Sequence, residues 1–405
     1  MHRFALFLVA AAALSAQPLE PLFDGESVDG WVKRSGVAEY RVEDGALVGR
    51  TKAGSPNTFL GPAKEYGDFI LEFEVKMDPR LNSGVQIRSH EYDGETQVIL
   101  NNNGPHKRTF PKGRMHGYQV EIASASDGSA GGIYDEARRG WLQDVLDIPG
   151  CTKAFVDDEW NRYRVDAYGD RMRVWVNGEA CADVVDPLDQ TGYFGFQVHS
   201  FKGDTPAEVA WRNIQIADLG RHVWKPVSLD DWNRRGSGSA TVSGSTVTLE
   251  AKQGSGTSFL VSPRRYADFT LRLEYRASSG NSGVFFRAVD LGKKQANSEK
   301  TKGIRGYEIE VDPTRDPGGL QEVGGRGWIQ HTGPIAETPY YKADDWNQLV
   351  IHAHGGRVVV HVNGVKTAEV QNDPGPKGGY LALQLNSRQA DVKMEYRNLE
   401  FLLPE

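Results

Sequence analysis

Residues Phe69–Met77 read FILEFEVKM. Phe69, Leu71, Phe73 and Val75 fall on one side of an extended chain; Ile70, Glu72, Glu74 and Lys76 fall on the other. Alternation with period two predicts a half-buried strand. Phe269–Tyr275 (FTLRLEY) repeats the pattern, and Tyr163–Ala167, Met172–Val176, Leu349–His352 and Val358–Val362 are further predicted strands. Val176-Asn177-Gly178-Glu179 and Val362-Asn363-Gly364-Val365 each set Asn-Gly after an apolar run, the strongest short-range hairpin signal. Many short strands punctuated by turn residues predict an all-β chain of sandwich or jelly-roll type.

The chain also repeats itself. Tyr66-Gly67-Asp68-Phe69 recurs as Tyr266-Ala267-Asp268-Phe269, and Asn82-Ser83-Gly84-Val85 as Asn281-Ser282-Gly283-Val284. Gly117-Tyr118-Gln119-Val120-Glu121 recurs as Gly306-Tyr307-Glu308-Ile309-Glu310, and Arg139-Gly140-Trp141 as Arg326-Gly327-Trp328. Motif order is kept while loop lengths change, so the period is that of a duplicated domain, not a solenoid. The expected organisation is one domain over 17–222 and a diverged second copy over 223–405.

Composition narrows the chemistry. The chain has 405 residues and a net charge of −7, which argues against a nucleic-acid surface as its main business. No phosphate-loop lysine motif, G-x-G-x-x-G or H-E-x-x-H is present, and two cysteines cannot build a thiolate zinc site. Residues 1–16 read as a signal peptide: His2 and Arg3, an apolar run from Phe4 to Leu14, then Ser15 and Ala16. That run is too short to span a bilayer. A periplasmic or secreted location is expected, in which Cys151 and Cys181 either pair or stay as buried thiols.

Three predicted strands per copy carry polar residues at alternate positions. Gln86 and Arg88 oppose Val85 and Ile87; Gln119 and Glu121 oppose Tyr118 and Val120; Gln197 and His199 oppose Phe196 and Val198. If these strands share a sheet, the six polar side chains form one surface. The second copy offers Phe285, Arg287, Glu308, Glu310, Gln384 and Asn386. Directional amides, carboxylates and a guanidinium suit sugar hydroxyls. Gly131–Trp141 comes next, with Tyr134, Asp135, Glu136, Arg139 and Trp141; its echo, Gly318–Trp328, keeps Glu322. Glycines there let backbone approach a ligand, and Trp141 offers a stacking face. The stretch from Ser89 to His116, holding His90, His106, His116 and Asn101-Asn102-Asn103, is expected to be a long functional loop.

These motifs, with Phe23-Asp24-Gly25, Gly30-Trp31, Val42–Leu47, Trp160-Asn161 and Arg212-Asn213-Ile214, resemble the 3-keto-disaccharide hydrolase domain family. The resemblance implies two tandem concanavalin A-like jelly-roll sandwiches and a carbohydrate partner, with no nucleic acid and no membrane span. It also implies cleavage of glycosides already oxidised at C3, by removal of the C2 proton, loss of the C1 substituent and hydration. On that reading Glu121 or His199 is the base, Arg88 or a divalent metal ion stabilises the enediolate, and Glu136 is an acid or metal ligand. Gln86, Gln119, Tyr134, Asp135, Arg139, Trp141, Gln197 and His116 would bind substrate, with Arg287, Glu308, Glu310 and Glu322 in the second copy. The first copy matches better and is the favoured catalytic one. The alternative is a non-catalytic sugar-binding protein with two modules.

Overall fold

The computed structural model describes residues 18–100, 106–290 and 303–404. The predicted signal peptide and Asn101-Asn102-Asn103 lie outside the described residues. The chain divides into two compact units between His222 and Val223.

Each unit is a β-sandwich. In the first, an eight-stranded sheet runs in the order Glu179–Val185, Arg171–Val176, Asn161–Tyr168, Phe69–Met77, Glu208–Asp218, Ala46–Arg50, Glu39–Glu43, with Glu20–Pro21 added beside Glu208–Asp218. The facing seven-stranded sheet runs Gly140–Gln143, Ile133–Glu136, Met115–Ile122, Ser83–Glu91, Tyr193–Val198, Thr58–Pro62, Trp31–Arg34. Pairing is antiparallel and most neighbours are distant in sequence, as in a jelly roll. The second unit repeats both sheets, with Phe269–Ser279 taking the place of Phe69–Met77 and Ile304–Val311 that of Met115–Ile122.

The predicted alternation builds the core. Phe69, Leu71, Phe73 and Val75 point into the sandwich and meet Val85, Ile87, Tyr118, Val120 and Phe196 from the other sheet. Fully burying an aliphatic or aromatic side chain of this size contributes about 1.5–3 kcal/mol. On the opposite side of Phe69–Met77, Glu72 is salt-bridged by Arg162 and Arg164. Cys151 and Cys181 form a disulfide, with Cα atoms 5.1 Å apart.

The stretch from Ser89 to His116 is not an irregular loop. The Ser83–Glu91 strand runs on into it, a separate hairpin pairs Thr96–Leu100 with His106–Phe110, and the next sheet strand begins at Met115. Leu100 and Phe110 fasten the hairpin to Ala137 and Tyr92.

Candidate functional site

The face of the seven-stranded sheet turned away from the core carries a row of amides. Strand register places Gln119 beside Gln86 on one side and Tyr134 on the other, with Trp141 next to Tyr134. Gln86 and Gln197 both donate from Nε2 to Gln119 Oε1, at 2.8 Å each. Gln119 Nε2 donates to Glu121 Oε2 at 2.9 Å, while Asn82 Nδ2 donates to Glu121 Oε1. Ser89 Oγ donates to Gln86 Oε1 at 2.6 Å. The Gln119 side chain lies across Gly84, where a Cβ would sit 2.5 Å from its Cγ and Cδ. The expected convergence of Gln86, Gln119, Gln197 and Glu121 is therefore present. These groups are buried, however, and mostly satisfy one another; among them only Gln197 Oε1 has no partner. Burial pushes the Glu121 carboxyl up to about 7 against its two amide donors, and the charge of Glu136 adds to the rise.

Arg88 does not join this face. Gln86 pairs with Gly195 but Ser89 pairs with Tyr193, so the strand holds one extra residue there. Arg88, at φ 47°, occupies that bulge. A bulge reverses the parity of the residues after it. The guanidinium is fully buried and donates to Gly67 O (2.7 Å), Gly169 O (2.7 Å) and Asp68 Oδ1 (2.9 Å). Arg287 repeats this at φ 49°, donating to Ala267 O, Gly355 O and Asp268. Both arginines pin loops together and are not sugar ligands.

Asp135 and Arg139 are a second correction. Asp135 alternates with Tyr134 and Glu136, so it turns the other way. It is fully buried and salt-bridged to Arg138 and Arg139, which continue to Asp189 and Asp186. Tyr118 donates its hydroxyl to Asp186. Glu322 makes the matching contact with Arg326, which continues to Asp373, in the second unit. His116 stacks on Tyr92 at 4.0 Å, and burial holds its imidazole far down, at about 2. It packs beside the site without lining it.

Beside the amide row opens a cleft of about 530 Å³. Its lining includes Asn57, Arg108, Lys112, Arg114, Tyr134, Glu136 and His199. The sequence points to three of these, Tyr134, Glu136 and His199. It does not point to Asn57 or Arg114: one precedes the Thr58–Pro62 strand and the other comes after the hairpin, and neither belongs to an alternating pattern. Asn57 Nδ2 donates to Glu136 Oε1 at 3.1 Å, and Arg114 is salt-bridged to the same oxygen. Asn57 Oδ1 in turn accepts from the Ser200 amide at 2.9 Å. His199 Nδ1 lies 2.8 Å from Ser200 O. A carbonyl only accepts, so Nδ1 carries a hydrogen, and in the neutral ring the lone pair is on Nε2. Trp141, 40% exposed, stands edge-on to Tyr134 at 5.2 Å, leaving an aromatic face for a ligand. Among the described residues no group of three or more His, Cys, Asp or Glu side chains is placed to hold a metal ion.

The second unit lacks this chemistry. Glu308 replaces Gln119, Phe285 replaces Gln86, Val323 replaces Glu136 and Asn386 replaces His199, by the matching strand register. Phe259, Val261, Phe285, Ala288, Ile304 and Ala382 form an apolar cluster. Glu308 and Glu310 are both buried; desolvation raises both carboxyls, that of Glu310 to about 7.

Fold and site together define a carbohydrate-type jelly roll. The family description "3-keto-alpha-glucoside-1,2-lyase-like domain" matches residues 18–217 and again 225–402, so the chain belongs to that family, with two copies of its domain. No relative was found among curated proteins. Solved structures with similarity include a Parabacteroides distasonis ATCC 8503 protein provisionally named a glycosyl hydrolase: 20% identity, 51% of this chain, 96% of that one, TM-score 0.34. A carbohydrate-binding module from Bacillus subtilis shows 18% identity over 42% of this chain and 92% of its own, TM-score 0.30. A Bacillus subtilis protein with a galectin-like fold shows 14% identity over 45% and 99%, TM-score 0.35.

Proposed function

We propose that the first unit cleaves 3-keto-glycosides by elimination followed by hydration. The observation that carries this reading is His199: it lines the cleft, and its tautomer leaves Nε2 basic. A ketone at C3 acidifies the C2 hydrogen. Nε2 takes that proton, and the enediolate charge develops on the C3 oxygen. Arg114 and Asn57 are the cleft donors suited to that oxyanion, in a site where low dielectric strengthens them. The C1–O bond then breaks with its electron pair on the aglycone oxygen, which takes the Tyr134 proton; solvent restores that proton. Water adds its hydroxyl to C1 of the resulting glycal, and the imidazolium returns a proton to C2. The sum is hydrolysis. Glu136 orients Arg114 and Asn57, and Trp141 offers a stacking face for the sugar.

Membership of the family supports the substrate class, and the disulfide is in keeping with an exported protein in an oxidising compartment. The test is aglycone release from a 3-keto-glucoside. Wild-type protein is expected to turn over, and His199→Ala to lose about 10²–10⁴-fold in kcat. Equal rates in both would overturn the assignment of the base. No release from any keto-sugar would leave the second reading, a sugar-binding module, which the exposed Trp141 favours.

A further inference from the structure

The cleft wall formed by the hairpin and the segment after it is basic, although the chain as a whole carries −7. From His106 to Met115 the sequence is HKRTFPKGRM, with four lysines and arginines and no acid. Three of these cations, Arg108, Lys112 and Arg114, line the cleft, where Glu136 is the sole carboxylate among the lining residues. Arg114 is engaged by Glu136. Arg108 and Lys112 have no carboxylate partner among the described residues. The Arg108 guanidinium sits 5.0 Å from the centroid of the Phe110 ring, and Phe110 is itself buried against Leu100 and Ala137. The ring packs against the guanidinium, whose N–H donors have no hydrogen-bond partner among the described residues.

A walled cleft with two uncompensated cations gathers anions, and a planar guanidinium binds two oxygens of one oxyanion. We infer that the cleft takes an anionic glycoside, one bearing a sulfate ester or a carboxylate, and that Arg108 and Lys112 hold the anionic group. This inference rests on the cleft being the sugar site of the proposed function. It concerns which glycoside is chosen, not the bond broken. The second unit has Val323 where the first has Glu136, and an apolar cluster around Phe285 occupies that face.

The test has a binding arm and a turnover arm, both on the full chain. Isothermal titration compares a glucoside, its 6-sulfate and the corresponding glucuronide, none of them oxidised at C3, at low and high salt. The expected result is about tenfold tighter binding of one or both anions at low salt, with the margin shrinking at high salt. The sulfate and glucuronide arms show which oxyanion is preferred. In Arg108→Gln/Lys112→Gln the ratio of anionic to neutral affinity is expected to fall towards one. Equal affinity for neutral and anionic sugars in wild type, or an unchanged ratio in the double variant, overturns the inference. The turnover arm uses the C3-oxidised forms of the same sugars. Anion-selective binding without turnover sinks the lyase reading and leaves this one standing; turnover without anion preference does the reverse.

Discussion

Glu121 offers a sharp test of the buried amide row. Its carboxyl is 6% exposed and is raised from 4.5 to about 7, chiefly by desolvation. At 1.36 kcal/mol per unit this corresponds to roughly 3 kcal/mol. Its sign comes from linkage. Between those two values the folded protein keeps a proton that the unfolded chain has released, so stability falls as pH rises from about 4.5 to about 7. Below that window the contribution is neutral; above it the full penalty applies. Glu121→Gln removes the titration and retains one acceptor, leaving one amide donor short of its hydrogen bond, a loss of about 1 kcal/mol. The assay is urea unfolding of wild type and variant at about pH 5 and about pH 8. Glu308 and Glu310 push the same way in the second unit, so the wild-type-minus-variant difference isolates Glu121. Between the two pH values that difference is expected to move by about 2–3 kcal/mol in the variant's favour. Parallel pH slopes would refute the buried, proton-holding carboxyl. A carboxyl carbon titration by NMR gives a direct second reading.

Arg88→Ala strands Asp68 and the loop carbonyls of Gly67 and Gly169, and is expected to destabilise the fold by about 3–5 kcal/mol in thermal or urea unfolding. A KM effect on folded protein without a stability loss would place Arg88 back in the site. Gly84→Ala puts a methyl 2.5 Å from Gln119 and is expected to lose about 1–3 kcal/mol, with the Glu121 pKa moving as its donor is displaced. Trp141→Ala is expected to raise KM about tenfold with kcat little changed, and to leave unfolding within about 0.5 kcal/mol of wild type. Cys181→Ser opens a disulfide that spans 30 residues and is expected to lower unfolding stability by about 2–4 kcal/mol.

Alternation made the strands, the duplication and the inward faces legible, because a side chain's face is set by its parity. The same rule misplaced Arg88 and Arg287, since a single extra residue reverses parity and a bulge has no dependable signature in Val85–Ser89. Asp135 shows a different gap: its neighbours Tyr134 and Glu136 face the cleft, and taking all the polar residues of Gly131–Trp141 as ligand contacts hid that it must face inward. Asn57 and Arg114 reach Glu136 through long-range wrapping that local pattern does not encode. The pairing of Cys151 with Cys181 likewise depended on a Cα separation that only the fold supplies.

The two copies diverge along the amide row. Ser89, Gln86 and Gln119 form an ordered donor–acceptor series in the first unit; the second has Ala288, Phe285 and Glu308 at those positions. Replacing Gln119 by glutamate alone would strip Glu121 of a donor and add a carboxyl beside it. Replacing Gln86 by phenylalanine alone would take away the Ser89 hydroxyl's shortest acceptor, leaving it the Ile87 and Tyr118 carbonyls, and would cost Gln119 Oε1 one of its two donors. The replacements are coupled, since Gln86, Gln119 and Glu121 share hydrogen bonds. The amide row therefore behaves as one unit, in which the side chain at each position sets which side chains the next position can pair with.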